Sequence, residues 1–513
     1  MGEKNILLRP GTPDDDNRDY LPEKIKDSDI VVNENGNNSQ PYPERLKEFK
    51  EALTLDGKVD VWYEYVPSSY DPAKKTPLVV SMHGGLMTGW GQAIYTSWTI
   101  MAEKHGFIVA FPNASSKRIW CVEWGRWRFD DGKQEKETAP GEVPETPADI
   151  RENHDAQMAL ALIEKMKKKY NIDEERIFMQ GMSMGDMMTS LFARNYGNIL
   201  AGAAGAGCAT FLSLLYDEDG RIKNRAGHLD IWQTRPELND IPPDKTETLN
   251  VNKYNRYYWM RLNGCGPVPE ISIVGEDNFA FYKGSKADVT YLDVKNRDHG
   301  QTLDDAALIW NYMFSGVRRK ADGTIVHSGS NIPRKGDKFA IAAAKGCSNA
   351  WLKNEVVPMR TKAVYWQKLK YHGLNGGQKV RGEYLCVPLS FLSEAFGAKY
   401  EPGEGALTVM MTLKDGRSLQ FARGSIGCVI DDDLRSMYCE ALHRDGELLV
   451  SIEWFCRYLF GLDVSYCDEV VYVTDHFSVL SANTADLLKD LLHSGGKLPD
   501  YEKIPNIDEQ LYI

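Results

Sequence analysis

Residues 176–197 read RIFMQGMSMGDMMTSLFARNYG. The first five, Arg176–Gln180, have the apolar character of a short strand buried on both faces. The last twelve, DMMTSLFARNYG, have the look of a helix. Between them stands Gly181-Met182-Ser183-Met184-Gly185, a G-x-S-x-G motif that is common by itself and informative only where a strand enters it and a helix leaves it. Both conditions are met here. So tight a turn would drive a side chain at either flanking position into backbone, which accounts for the two glycines, and it lifts Ser183 above the sheet edge. The helix N-terminus behind it supplies free N–H groups, Met184 first, and positive potential for a developing oxyanion. Ser183 is therefore the candidate nucleophile.

Upstream, His83-Gly84-Gly85 ends the strand-like run Pro77–Met82. The plain reading is a turn. With an elbow downstream, the small residues read instead as a loop donating a second oxyanion N–H from Gly84 or Gly85, because glycine lets backbone approach a substrate oxygen. Strand-like runs also occur at Phe107–Phe111 and Val289–Val294, and Asp149–Tyr170 carries Met158, Ala161, Leu162 and Met166 at helical spacing. Alternation of this kind across residues 46–316 predicts an α/β fold, a mostly parallel sheet flanked by helices.

A general base must follow the nucleophile. Of His228 and His299, the only histidines between Ser183 and residue 317, His299 lies in KNRDHGQT after the run Val289–Val294, the end of a parallel strand where sites form. His228 precedes its strand-like run. The acid is Asp240 or Asp277. Thr246–Asn263 is long enough for the crossover that a parallel neighbour requires, whereas only a hairpin-like excursion separates Asp277 from Val289, so topology favours Asp240. Its role would be to hold the imidazole tautomer. Trp120, Trp124 and Trp127 fall in WCVEWGRWRF and, with His83, are candidates for a substrate wall; packing beneath a long loop is the alternative. The run KMKKK, 165–169, reads as a solvated helix end.

The chain has 513 residues, 42% hydrophobic and 26% charged, with a net charge of −12. It is long enough for several cores and too acidic for a nucleic-acid backbone to be an expected partner. No run approaches a membrane span, and MGEKNILLRPGTPDDDN does not resemble a signal peptide. Nine cysteines without a C-x-x-C pair argue against a zinc ribbon, and His372, His443 and His476 are scattered, so no metal and no cofactor is expected. Disulfides and buried thiols remain equal alternatives, with Cys121–Cys265 one conceivable pair.

Residues 1–45 read as an extended arm, 46–316 as the catalytic domain and 317–335 as a linker. Residues 336–480 read as a smaller α+β domain, and 481–513 as a tail. Within the smaller domain, Leu385–Tyr400 and Leu449–Tyr466 echo each other about 64 residues apart: strand, amphipathic helix, Phe-Gly stop, strand. Gly397 and Gly461 sit where helix C-caps fall, and an internal duplication is expected.

The ordered set of HGG, YNIDEERIF, GMSMG, W-x-x-x-N-G-C (Trp259 to Cys265) and DHG resembles the polyhydroxybutyrate depolymerase and feruloyl esterase-like branch of the α/β-hydrolases over residues 50–316. The resemblance implies an α/β-hydrolase fold and a secreted or surface carboxylic-ester hydrolase with a Ser-Asp-His triad. The substrate would be a small-molecule or polymer-linked ester, feruloyl, acetyl or polyester in type. It also implies an acid ahead of the W…NGC segment, again Asp240. Two departures stand out. The H-G-T-x-D-like string before the acid reads Arg235-Pro-Glu-Leu-Asn-Asp240, and Met182 and Met184 are bulkier than the usual elbow residues. VPLSFLSEAFGAKYEP, 387–402, is similar to the copper amine oxidase N-terminal-like domain, a stalk in surface proteins that is not itself a copper site. That implies a spacer, or a contact with a cell surface or polysaccharide. A prolyl oligopeptidase-like peptidase and an inert binding protein are the competing readings.

Overall fold

The computed structural model describes residues 45–115, 118–123, 146–238, 245–300, 302–372 and 377–497. The chain builds β1 (Leu46–Glu51), β2 (Asp60–Tyr65), β3 (Thr76–Met82), α1 (Gly89–Tyr95), α2 (Trp98–His105) and β4 (Ile108–Pro112). There follow α3 (His154–Lys169), β5 (Ile172–Met182), α4 (Met184–Tyr196), β6 (Gly202–Ala206), α5 (Leu212–Leu215) and β7 (Asp230–Pro236). Next come α6 (Lys245–Asn263), β8 (Glu270–Val274), β9 (Asp277–Tyr282), β10 (Val289–Val294) and α7 (Asp305–Tyr312).

All ten strands join one sheet in the order β1-β2-β4-β3-β5-β6-β7-β10-β9-β8. The six central strands run parallel, with antiparallel pairs β1-β2 and β9-β8 at the edges. This large mixed sheet with helices on both faces is the arrangement expected of an α/β-hydrolase. Strands β3, β4, β7 and β10 are buried along their whole length, as sheets covered on both sides must be. On one face α3, α4 and α6 contribute Met158, Leu162, Met188, Phe192, Tyr258 and Trp259 to the core. On the other, α2 and α7 bring Trp98 and Trp310 against Phe107, Phe178 and Phe314. Phe178 and Phe314 stack at 4.2 Å between centroids. Burying side chains of this size contributes about 1.5–3 kcal/mol each.

The helix expected over 149–170 starts at His154, because Asn153 breaks the run and caps α3 by accepting from the Ala156 N–H at 3.0 Å. Its lysines are not simply solvated. Lys165 and Lys169 reach Glu51 at 2.6 Å and Glu64 at 2.8 Å, tying the helix end to the β1-β2 edge.

Residues 317–335, expected as a linker, are pinned to the sheet. They form a ribbon of β11 (Val317–Arg319) and β12 (Ile325–His327). Arg334 pairs with Asp230 at 3.2 Å and with Asp288 at 3.1 Å, all three almost wholly buried. Beyond lie β13 (Ala340–Ala344), β14 (Asn349–Leu352), β15 (Glu355–Pro358), β16 (Val364–His372), β17 (Gly377–Pro388), α8 (Leu389–Phe396), β18 (Lys399–Pro402), β19 (Thr408–Thr412) and β20 (Ser418–Ala422). The last elements are β21 (Gly427–Ile430), β22 (Asp433–Ser436), β23 (Leu442–Arg444), β24 (Glu447–Ser451), α9 (Ile452–Phe460), β25 (Asp463–Cys467), β26 (Val470–Thr474) and α10 (Ala482–His493).

This region is mostly β: three sheets, β15-β14-β13-β26-β25, β16-β17-β24-β23 and β18 to β22 in chain order. Helices α8 and α9 each follow a strand and stop at a left-handed glycine, Gly397 (φ 63°) and Gly461 (φ 65°). Alternate residues of β13 face two cores. Ala340, Ala342 and Ala344 join the core that α3, α4 and α6 form on the ten-stranded sheet, while Ile341 and Ala343 join Leu385, Phe391 and Trp454. Residues 482–493 are not a loose tail: Leu487, Leu488, Leu491 and Leu492 of α10 pack into the same core as α6. No disulfide joins any of the cysteines among the described residues, and Cys121 does not pair with Cys265. No helix among the described residues is long and apolar enough to cross a membrane.

Candidate active site

Ser183 stands alone between β5 and α4, with φ 55° and ψ −120°, a conformation that costs a non-glycine residue free energy and recurs at functional turns. Its backbone N–H bonds the Ala206 carbonyl at 2.8 Å, and its carbonyl accepts from Asp186 and Met187 to start the helix. A Cβ at Gly181 would lie 1.9 Å from the Gly185 carbonyl oxygen, and one at Gly185 would lie 2.3 Å from that of Met82. Neither position can carry a side chain, as the motif predicts.

The Gly84-Gly85 loop abuts this turn. A Cβ at Gly84 would come 2.9 Å from Met182 Cε, and one at Gly85 2.8 Å from Met184 Sδ. The two bulky methionines of the elbow therefore pack onto the loop, and the loop's glycines make the room for them. Met184 opens α4, where the helical pattern leaves the first N–H groups without an intrahelical acceptor.

His299 reaches Ser183 from far along the chain: its Nε2 is 2.9 Å from Ser183 Oγ. The loop that carries it leaves β10 and is shaped by Gly300 at φ 125°. Gly207, at φ 79°, passes so close that a Cβ there would meet Gly300 N at 3.2 Å. His228 lies away from this cluster, with Nε2 3.2 Å from the Gly323 carbonyl oxygen.

Asp240 lies outside the described residues. The strand before it is informative: β7 pairs in parallel with β10, so their exits run side by side, with Glu237 N–H on Val294 O at 3.2 Å and Leu238 N–H on Arg297 O at 2.9 Å. Asp277 opens β9 opposite Val294 and so lies at the same end of the sheet. Its carboxyl is pushed up to about 6, by burial first and by the negative charge of Asp304 second. It makes no hydrogen bond to the imidazole among the described residues, and an environment that resists its charge suits a triad carboxylate poorly.

Two expected substrate contacts are displaced. His83 and Trp120 are fully buried. His83 Nδ1 donates to the Gly84 carbonyl at 2.7 Å and Nε2 accepts from Ala114 N–H at 3.0 Å, while Trp120 Nε1 donates to the His83 carbonyl at 2.7 Å. Burial pulls the imidazole down to about 4, so it stays neutral. These rings brace the glycine loop from behind. Trp124 and Trp127 lie outside the described residues. Sequence reasoning passed over Asp186, which accepts from Cys208 N–H at 3.2 Å and pairs with Arg235 at 3.1 Å beneath the elbow. An acid in the first turn of a predicted helix was its only signal.

Residues 62–212 match the family model described as esterase PHB depolymerase. The chain is similar to poly(3-hydroxyalkanoate) depolymerase C of Paucimonas lemoignei, 26% identical over 276 residues, 47% of this chain and 58% of that one. It is 30% identical over 157 residues to acetylxylan esterase A of Aspergillus oryzae, covering 29% of this chain and 43% of the relative. Feruloyl esterase B of Neurospora crassa is 29% identical over 150 residues, 29% of this chain and 44% of the relative. The chain thus spans less than two thirds of the length of these curated relatives. Among solved structures, an acetyl xylan esterase from Aspergillus awamori aligns with a TM-score of 0.36 and 15% identity, covering 51% of this chain and 97% of that one. Its homologues are thus polyester depolymerases and acetylxylan and feruloyl esterases, all carboxylic-ester hydrolases by name.

Proposed function

We propose that the chain is a serine carboxylic-ester hydrolase working through an acyl-enzyme, on feruloyl, acetyl or polyester-type esters. One observation carries this reading: a serine in a left-handed turn, 2.9 Å from the imidazole of His299. Ser183 Oγ attacks the ester carbonyl carbon as its proton passes to His299 Nε2. The oxyanion forms against the N–H of Met184 and the Gly84-Gly85 loop, fixed dipoles that need no reorganisation. Collapse expels the alcohol, which takes the proton from His299. Water then attacks the acyl-enzyme with His299 again as base, and Ser183 is restored. Asp240 holds the imidazole tautomer and steadies the imidazolium.

The resemblance to the polyhydroxybutyrate depolymerase and feruloyl esterase-like branch supports an extracellular or cell-surface location for this chain. The strand-rich region beyond residue 336 is the copper amine oxidase N-terminal-like spacer of the proposal, internally duplicated. Because β13 and α10 are built into the catalytic core, any polysaccharide or surface contact falls to the two outer sheets. Turnover of p-nitrophenyl acetate and methyl ferulate by wild type and Ser183→Ala tests the reading. Product release only by the wild type supports it; equal release by both defeats it.

A further inference from the structure

One carboxylate ties together the exits of β7 and β10 and the last helix of the described chain. Glu237, the first residue after β7, accepts with Oε1 from Lys295 Nζ at 2.8 Å and from the Ala482 N–H at 2.9 Å. Its Oε2 accepts from the Asn296 N–H at 3.0 Å. The side chain is 9% exposed. Lys295 and Asn296 open the loop that carries His299, and Asn296 sits at φ 58°, the backbone twist that accompanies this bond. Ala482 is the first residue of α10, where a negative group also meets the positive end of the helix dipole. The same strap is stitched on either side. Asn278 accepts from Ser481 N–H and donates to Val479 O, both at 3.0 Å, and Asn483 donates to Asp293 of β10 at 3.0 Å.

We infer that Glu237 is a positioning residue for His299, and that the strap 478–483 with α10 is a working buttress of the active site. The inference rests on the esterase reading. Three charge-assisted bonds on one nearly buried carboxylate are short and directional, and they fix where the histidine loop leaves β10 relative to the end of β7. Without them the imidazole shifts against Ser183. A displacement of about 1 Å costs on the order of a hundredfold in rate, and it falls on kcat because proton transfer occurs only in the transition state.

The test compares full-length wild type, Glu237→Ala, Glu237→Gln and Lys295→Met. Each is assayed on p-nitrophenyl acetate, with active sites counted by exhaustive fluorophosphonate labelling. Expected is a fall of about tenfold or more in kcat per titrated site for Glu237→Ala with KM within about twofold, and a smaller fall for Glu237→Gln, which keeps one acceptor oxygen. Lys295→Met, which leaves the acid in place, gives the same kcat-only pattern should Glu237→Ala not fold. Unchanged kcat per titrated site in Glu237→Ala or, failing that, in Lys295→Met, beside an active wild type, overturns the positioning role alone. A wild type that hydrolyses nothing overturns the esterase reading and this inference with it.

A separate observation carries a second proposal. Cys386 on β17 and Cys439, between β22 and β23, face each other with Sγ atoms 3.6 Å apart, 53 positions apart in sequence. Both are buried among Leu442, Leu449, Val364, Trp366 and Tyr384. The bond between them holds the Cys439 thiol below its ordinary value and raises that of Cys386. Burial alone pushes Cys456 well up. We propose that Cys386 and Cys439 form a disulfide under oxidising conditions. The Cys439 thiolate attacks one sulfur of a low-molecular-weight disulfide such as oxidised glutathione, and one glutathione thiol leaves. The Cys386 thiolate then displaces the second, so two protein thiols are oxidised and one disulfide is reduced to two thiols.

Refolding the chain from guanidinium in a glutathione redox buffer, alkylating it and mapping peptides without reduction tests this. A peptide joining positions 386 and 439 is expected, with a melting temperature several degrees above that of the reduced protein. Cys386→Ser and Cys439→Ser should each lose both. Full alkylation of both thiols in the oxidised wild type overturns the proposal.

Discussion

The guanidinium of Arg235 lies 3.1 Å from the carboxylate of Asp186 beneath the Ser183 turn, with side-chain exposures of 1% and 7%. Asp186 belongs to the first turn of α4 and Arg235 to β7, so this pair locks the elbow helix to the strand that runs beside β10. Removing one member strands the other charge in the core. Arg235→Met is expected to cost about 3–5 kcal/mol of stability, read from the midpoint of urea unfolding. A change below about 1 kcal/mol would mean that Asp186 is satisfied without the arginine.

The elbow's glycines give a sharper prediction. Gly185→Ala pushes a methyl group to 2.3 Å from backbone oxygen and is expected to lose about 1–3 kcal/mol together with most activity. Gly266→Ala, where a Cβ meets nothing within 4 Å, is the control and should match wild type in melting temperature and turnover. Equal behaviour of the two variants would contradict the packing described here.

The choice of acid is settled by two separate variants. Asp240→Asn is expected to lower kcat by about 10³–10⁴-fold, the scale of a lost tautomer anchor. Asp277→Asn should leave kcat within a few fold. The Asp277 carboxyl is pushed up to about 6, so its charged form is penalised in the fold, and removing that charge should raise the melting temperature at pH 8 and progressively less as pH falls from about 6 towards 4. A large activity loss only at Asp277 would reverse the assignment.

His154 bridges two carboxylates, Nδ1 to Asp56 at 2.7 Å and Nε2 to Asp60 at 2.8 Å. Burial opposes its charge, but the bonds to Asp60 and Asp56 outweigh that and raise its titration point. Asp56 is held well below the usual carboxylate range, by Thr54 first and then by the Lys58 N–H and the imidazolium, which together outweigh the opposing effect of burial. The histidine's contribution is therefore complete below its unfolded value of about 6.5 and lost as pH rises through its folded value. That of Asp56 is lost in acid. The stability gap between wild type and His154→Gln, from thermal melts, should be widest near pH 5–6 and shrink by pH 9. A gap independent of pH would show that the clamp does not depend on charge.

Much of this was legible in the chain because it rests on short-range geometry. The span Val289–Val294 is a strand to the residue, and the elbow's first glycine is explained by a contact within a few positions of Ser183, whereas Gly185 makes room for the distant Met82 carbonyl at the end of β3. His299 was legible through topology, since the end of a late parallel strand is the one place from which a base reaches the turn. What was not legible depends on partners distant in sequence. Nothing local says that His83 and Trp120 brace a loop from inside, that Arg334 of an apparent linker would be buried against Asp230, or that α10 would close the catalytic core. Glu237 looked like any loop acid; its role comes from Lys295 and Ala482, 58 and 245 positions away.

The most direct measurement is reaction of the whole protein with a fluorophosphonate probe, followed by mapping of the modified peptide. The adduct is expected on Ser183, absent in Ser183→Ala and formed far more slowly in His299→Ala. An adduct on a different serine, or hydrolysis of p-nitrophenyl acetate that continues with Ser183 unmodified, would contradict the account at its centre.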